Sequence, residues 1–287
     1  MIQQPFGRTG WQVPLLSFGA QRIVDEHACT EAEAIQIVNT AIDRGITYFD
    51  TAPSYSDGQS EYRLGLALQG SRHEVHIATK THDRTYDGSM KLLEESLKRL
   101  QTDHVEEWRL HNMVTVEQLD RCFAPDGALK ALREMQEQGV VKKLSISGHT
   151  NPQVLVEALR RFDFDSALVA LSALDHHIYS FAHEFLPFAA EKGVAVIGMK
   201  AMALGKLAPW YEQALRYTLS LPIATTIVGM ESMEQLEKNL RVADEFSPMT
   251  DVERLQFWQE IMHLATPQTL PWKAEEWGGD SWYKRAE

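Results

Sequence analysis

Cysteine is scarce in this chain: Cys29 and Cys122 are the two among 287 residues. Two cysteines so far apart form neither a disulfide framework nor a paired metal-ligand motif, which excludes the stapled scaffolds of small secreted domains. No run of Lys and Arg stands out, and the formal net charge is −12. An acidic surface repels phosphate backbones, so nucleic acid is not an expected partner. A small anionic cofactor is still allowed, because a pocket can be positive inside a negative protein. No apolar stretch approaches the ~20 residues of a membrane span, so no membrane partner is expected. The opening MIQQPFGRTG lacks the basic segment and apolar core of a secretory signal. These absences fit a reducing cytoplasm, the expected location. A G-x-G-x-x-G turn after the first strand is missing as well, which weighs against an open dinucleotide-binding sheet.

What is present is a rhythm. A stretch with helical spacing ends in a charged or polar residue, then Gly, then a short β-branched or apolar run, as in DRG-ITYFD at Gly45, EQG-VVKKLSIS at Gly139 and EKG-VAVIGM at Gly193. Glycine just past a helix end supplies the left-handed conformation that a C-terminal cap needs. The run after it is too short for a helix and reads as a buried parallel strand. On this pattern strands fall near 15–19, 46–50, 75–80, 105–111, 143–147, 167–171, 194–199 and 224–228. Helices fall at 31–43, 60–69, 89–100, 128–138, 152–161, 182–191, 210–220 and 233–243.

Strict alternation predicts a parallel sheet, and eight units favour a closed (β/α)8 TIM barrel over an open sheet. The expectation is a single α/β domain over 1–287, with the barrel at about 15–244. FGRTGWQVP before it reads as a small hairpin on the barrel floor. A further helix at 248–263 precedes a tail rich in aromatics: Trp272, Trp277, Trp282 and Tyr283. A disordered tail rarely carries so many, so it should pack either over the barrel mouth or along an outer wall.

Catalytic groups of such barrels sit at the C-terminal ends of strands. Here the second strand ends in Asp50, the third in Lys80 and the fourth in His111, and the loop TAPSY brings Tyr55 above the same rim. Taken singly, Asp50 is an ordinary cap, Lys80 a solvated lysine, His111 a core histidine. Together they are hard to dismiss, because buried charges are costly without partners. Other histidines, at His82 and in Asp175-His176-His177, lack the converging spacing of metal ligands, and no metal is expected.

Several segments resemble the aldo-keto reductase family in order and spacing. They are D-T-A-P-S-Y-S-D-G-Q-S-E from Asp50, A-T-K ending at Lys80, E-S-L-K-R-L-Q-T-D-H-V from Glu95, L-H at His111, F-G-R-T-G near the start and I-V-G-M-E-S-M-E-Q-L-E-K-N-L near the end. The match runs over about 5–244. S-G-H at Ser147–His149 and G-M-K at Gly198–Lys200 resemble a bacterial branch of predicted oxidoreductases. Some of that branch carry a C-terminal iron–sulfur cysteine cluster; this tail has no cysteine, so no such cluster is expected.

The resemblance implies hydride transfer between NAD(P)(H) and a carbonyl or alcohol, an aldehyde, ketone or sugar. Tyr55 would be the general acid in reduction and the base in oxidation. Lys80 would be the ammonium that lowers the phenol's pKa, Asp50 would hold that ammonium, and His111 would orient the substrate oxygen. It also implies a cofactor site in which the family uses a Ser-Asn pair after strand five, a Gln on strand six and an aromatic after strand seven. Ser147 matches the Ser, while Gly148 and His149 stand where Asn would begin, with His149 a substitute donor. Leu168 falls near the Gln position, Met199 near the aromatic, and Lys200 could meet the pyrophosphate. Strand eight turns at Gly229 into a helix, where Ser232 and Gln235 have capping-box spacing. Lys238 and Asn239 complete the set on that helix. NADP(H) is favoured on the family's habit and NAD(H) is possible, since Glu231 repels a 2′-phosphate while Lys238 and Arg241 compensate. Arg22, Trp108, Met113, Met202 and Trp272 are the expected substrate-pocket walls. Two rivals remain: a non-catalytic NADP-binding subunit, and a different TIM-barrel enzyme such as an isomerase.

Overall fold

The computed structural model describes residues 1–24, 29–274 and 277. Trp282 and Tyr283 therefore lie outside the described residues.

The chain opens with an antiparallel hairpin, β1 (Gln3–Pro5) and β2 (Gln12–Pro14). Between its strands Gly7 takes φ +54°, and a Cβ there would meet the backbone of Ala195 at 2.5 Å. Only glycine lets the hairpin tip come so close to the barrel. Phe6 lies 5.9 Å from Trp11 and 5.7 Å from Tyr48, ring to ring, and so stoppers one end of the barrel interior.

Eight parallel strands then close on themselves: β3 (Leu16–Gly19), β4 (Tyr48–Asp50), β5 (His76–Thr81), β6 (Val105–Leu110), β7 (Val141–Gly148), β8 (Ser166–Ala170), β9 (Ala195–Met199) and β10 (Thr225–Gly229). Closure is made by β10 pairing with β3, from Thr226 opposite Leu16 to Gly229 opposite Gly19. The fold is thus the (β/α)8 barrel with the short N-terminal hairpin. Gly45, Gly139 and Gly193 all hold positive φ, as the helix-end pattern requires.

The connecting helices are α1 (Glu31–Asp43), α2 (Gln59–Ala67), α3 (Tyr86–Leu100), α4 (Val116–Phe123), α5 (Ala128–Glu137), α6 (Pro152–Arg161), α7 (Phe181–Glu184), α8 (Leu186–Glu191), α9 (Tyr211–Leu219) and α10 (Met233–Asp244), with α11 (Asp251–Ile261) beyond the barrel. Two differ from the sequence pattern. The span 182–191 is broken into α7 and α8 because Pro187 enters the first turn of α8, where its missing N–H does no harm. Helix α4 adds to the repeat: Thr115 caps it by accepting from Gln118 N, and Leu119 and Cys122 bury its inner face. No helix among the described residues is long and apolar enough to cross a membrane.

The main core lies between strands and helices, with Phe18, Phe49, Ile77, Trp108, Leu110 and Ile146 facing outward from the sheet. Trp108 and Met113, expected on the pocket wall, belong to this layer. The barrel interior has a separate apolar tier that includes Tyr48, Ala78, Leu168 and Ile197. Register sets Lys80 beside Arg109, Arg109 beside Ser145, and Ser145 beside Ser166. Where such barrels are ordinarily filled by branched apolar side chains, this one carries a polar, charged tier.

Candidate active site

Lys80 is fully buried near the end of β5, and its ammonium is surrounded by acceptors. Nζ donates to Asp50 Oδ1 at 2.5 Å, to the Thr51 carbonyl at 2.6 Å and to the Tyr55 hydroxyl at 3.2 Å. Asp50 and Lys80 meet because Asp50 ends β4 opposite Ala78, two residues before Lys80 on β5. The loop bearing Tyr55 is tied down on both sides. Thr51 Oγ1 and Ser60 Oγ are hydrogen-bonded at 2.8 Å, and Ser60 donates to the Ala20 carbonyl at 2.8 Å. The His111 ring stands edge-on to Tyr55, with centroids 6.0 Å apart. The strand-end quartet expected from sequence therefore converges, and Asp50, Tyr55 and His111 line one cavity of about 470 Å³.

The electrostatics differ in one respect from the sequence reading. An ammonium does lie against the Tyr55 hydroxyl, yet burial, and after it the Asp50 carboxylate, push this phenol well above its ordinary value. Lys80 is pulled down to about 8, chiefly by burial and against the attraction of Asp50. Burial likewise holds His111 and His149 well below the usual imidazole value. At neutral pH the rim thus offers a protonated phenol, an ammonium and two neutral imidazoles.

The cavity continues past His149, Met199 and Lys200 to a far lip at Gly19, Arg22 and Gly229, and Met202 lines it too. His149 Nδ1 sits 2.7 Å from Asn112 Oδ1. The Asn112 carboxamide fixes the ring through Nδ1 and leaves Nε2 as the other hydrogen-bonding nitrogen. Asn112 Nδ2 is buried without a hydrogen-bond partner. His149 lines the cavity, whereas Asn112 stands behind it, fully buried.

Other expected cofactor contacts are turned elsewhere. Ser147 Oγ accepts from Asn112 N at 2.9 Å and donates to the Leu110 carbonyl at 3.3 Å, so it braces the wall. Gly148 packs on Leu155 and the Met113 carbonyl. Ser232 caps α10 by accepting from Gln235 N, but the Gln235 side chain bonds to Glu231, one residue before the cap. Lys238 lies over the Tyr211 ring at 4.2 Å, and buried Asn239 accepts from the Tyr211 hydroxyl. Lys238 and Asn239 thus join α9 to α10 and do not line the cavity. At the lip itself Arg22 Nε pairs with Glu231 at 3.0 Å.

The tail reaches the mouth. Trp272 is fully buried and donates from Nε1 to Asp175 Oδ1 at 2.9 Å, and Lys273 Nζ reaches the same oxygen at 3.1 Å. Asp175 Oδ2 accepts from the Ser172 amide and hydroxyl. Thr150, next to His149, donates to the Trp272 carbonyl at 2.7 Å. Lys200 lies 5.6 Å from the Trp272 ring and 6.0 Å from that of Trp277, and Trp277 lines the cavity. Burial lowers Lys200 to about 8. Among the described residues no three His, Cys, Asp or Glu side chains are grouped to hold a metal.

The model of the aldo/keto reductase family matches residues 15–217. The chain belongs to the aldo/keto reductase family. As a member of that family of oxidoreductases, it is similar to an uncharacterised oxidoreductase of Bacillus subtilis, with 26% identity over 74% of this chain and 82% of the relative. It is also 27% identical to the L-galactose dehydrogenase of Arabidopsis thaliana, over 92% and 95% of the two chains. Among solved structures, the holo form of an aldo-keto reductase from Bacillus halodurans superposes with a TM-score of 0.77 and 27% identity, covering 93% of this chain and 97% of that one.

Two side chains essential to the arrangement are not in the expected set. Arg109 donates to Asp50 Oδ2 from beneath, and Asn112 orients His149. Asn112 follows His111 directly and adopts φ +54°, a conformation Asn tolerates better than most residues. A polar residue after the strand-end histidine was its one visible signal.

Proposed function

We propose that this aldo/keto reductase family member reduces a small carbonyl compound with a nicotinamide dinucleotide, Tyr55 delivering the proton to the carbonyl oxygen. The observation that carries the reading is the Tyr55 hydroxyl, 3.2 Å from a buried ammonium that is itself 2.5 Å from Asp50, on the wall of a cavity shared with His111. The bound cofactor would supply the hydride. As the hydride arrives, negative charge grows on the substrate oxygen, and the phenol gives up its proton to it. Lys80 stabilises the phenolate left behind, and Asp50 keeps Lys80 in place. Neutral His111 donates a hydrogen bond to the same oxygen. The protonated phenol is the state that reduction needs.

His149, held by Asn112, would receive the carboxamide of the nicotinamide, with Lys200 toward the pyrophosphate and Gly19, Arg22 and Gly229 around the adenosine end. NADP(H) remains the family's habit, and here its 2′-phosphate would have to draw Arg22 away from Glu231. NAD(H) meets no such conflict, since a carboxylate accepts from ribose hydroxyls. A fluorescence titration with NADPH and NADH, followed by turnover of aldehydes by wild type and Tyr55→Phe, tests the proposal. Binding of neither nucleotide, or full turnover by the variant, would refute it.

A further inference from the structure

Asp50 has two oxygens and two cationic partners. Oδ1 accepts from Lys80, and Oδ2 accepts from Arg109 Nη1. Arg109 is fully buried, stands beside Lys80 in register, and does not line the cavity. Its remaining donors point away from the site. Nε donates to Ser145 Oγ at 2.8 Å, and Nη2 to the Tyr48 hydroxyl at 3.0 Å and toward Glu107 at 3.5 Å. Glu107, also fully buried, accepts from the Tyr48 and Ser166 hydroxyls. Proton delivery as described above uses neither Arg109 nor Glu107.

A buried ion pair is not the most stable filling for a barrel, since well-packed apolar residues of similar volume are often neutral or better. The pair therefore calls for an explanation in what it does to Asp50. We propose that Arg109, anchored by Glu107, is a positioning residue that grips Asp50 from below and divides its charge between two cations, so that Lys80 and Tyr55 work beside a half-neutralised carboxylate. This rests on the reading of Tyr55 as proton donor.

The sign of the effect follows from what surrounds Lys80. Asp50 on β4, Glu61 on α2 and Arg109 on β6 are the charged groups facing it, with Tyr55, His111 and His149 around the rim. Burial and Arg109 lower the hold of Lys80 on its proton, while Asp50 and Glu61 raise it. For Tyr55, burial and Asp50 raise the hold and Arg109 opposes them. Removing Arg109 gives Asp50 wholly to Lys80, and both groups keep their protons to higher pH. Neutralising Glu107 alone has the opposite effect, because Arg109 then acts on Asp50 undivided. A structural role for the pair gives no such reversal of sign.

The test is an NMR titration of the Lys80 ammonium in lysine-labelled protein, the signal being assigned with Lys80→Met. The proteins compared are wild type, Glu107→Gln and the double variant Glu107→Gln/Arg109→Gln, which removes the pair without stranding a carboxylate. The midpoint should fall in the single variant and rise by about one unit in the double, with the alkaline limb of carbonyl reduction moving alongside. Arg109→Lys, which keeps the charge, should stay near wild type. Identical midpoints, or shifts of one sign in both variants, would overturn the proposal. Should the double variant not fold, the single variant decides: an unmoved or raised midpoint overturns it. The titration needs no turnover, so opposite shifts in a protein that reduces no carbonyl would sink the reductase reading alone.

Discussion

Asp175→Asn keeps the shape of the anchor beneath the tail and removes its charge. In the native protein this carboxylate accepts from Trp272 Nε1, Lys273 Nζ, and the amide and hydroxyl of Ser172. The variant leaves Lys273 buried beside a neutral amide, with the Tyr179 carbonyl at 3.0 Å as its other acceptor. Removing one partner of a buried ion pair costs about 3–5 kcal/mol. The barrel closes without the tail, so the cost should appear as local opening of the segment around Pro271–Lys273, not as collapse of the fold. Converted at ~1.4 kcal/mol per tenfold, amide exchange there should accelerate between about one hundredfold and a few thousandfold. Exchange in the barrel strands should hardly change. Hydrogen–deuterium exchange with peptide-level readout measures both. Unaltered exchange in the peptide containing Trp272, with the variant folded, would show that Asp175 does not hold the tail and that the reasoning is wrong.

Other outcomes follow from the site. Tyr55→Phe should lower kcat by at least about a hundredfold while nucleotide affinity stays as in wild type, which stopped-flow and fluorescence titration separate. His149→Leu removes one hydrogen-bonding group in a buried setting and should weaken nucleotide binding by about tenfold; unchanged affinity would place the carboxamide elsewhere. Glu231→Gln should improve NADPH binding relative to NADH by about tenfold, since it frees Arg22; an unchanged ratio would mean that the lip does not see the 2′ group. Lys80 and Lys200 are each lowered by burial from 10.5 to about 8. Between those values the unfolded chain binds more protons than the folded one. Stability should therefore climb as pH rises from about 8 toward 10, the penalty being fully present below about 8. Above about 10 the raised tyrosines act in the other direction. Denaturation midpoints across this window should rise less in Lys200→Met, and a flat wild-type profile would contradict the assignment.

Local signals carried the barrel and its rim. Glycine after a helix end marks the start of three of the buried strands by conformational need, at Gly45, Gly139 and Gly193, and an ionisable residue closing an apolar run marks the rim where Asp50, Lys80 and His111 meet. Pro187 splits a helix by the same local logic and could have been read. Contacts that depend on register could not. Arg109 reads as one polar residue in V-E-E-W-R-L-H, and only its register with Lys80 and Ser145 shows that it points into the barrel. Lys238 and Asn239 lie on the expected helix, yet their direction is set by Tyr211 from the preceding one. The phenol's proton affinity needed burial as well as neighbours, and sequence supplies the neighbours alone.

The anchoring of Trp272 by Asp175, 97 residues earlier in the chain, also orders events during synthesis. The ribosome delivers β10, and with it the means of closing the barrel, before it delivers Pro271–Lys273. A nascent chain can thus own a closed barrel and the Asp50–Lys80 pair while the mouth still lacks its aromatic wall. The complete cavity wall would thus be acquired after barrel closure, as a separate step in the growth of the polypeptide.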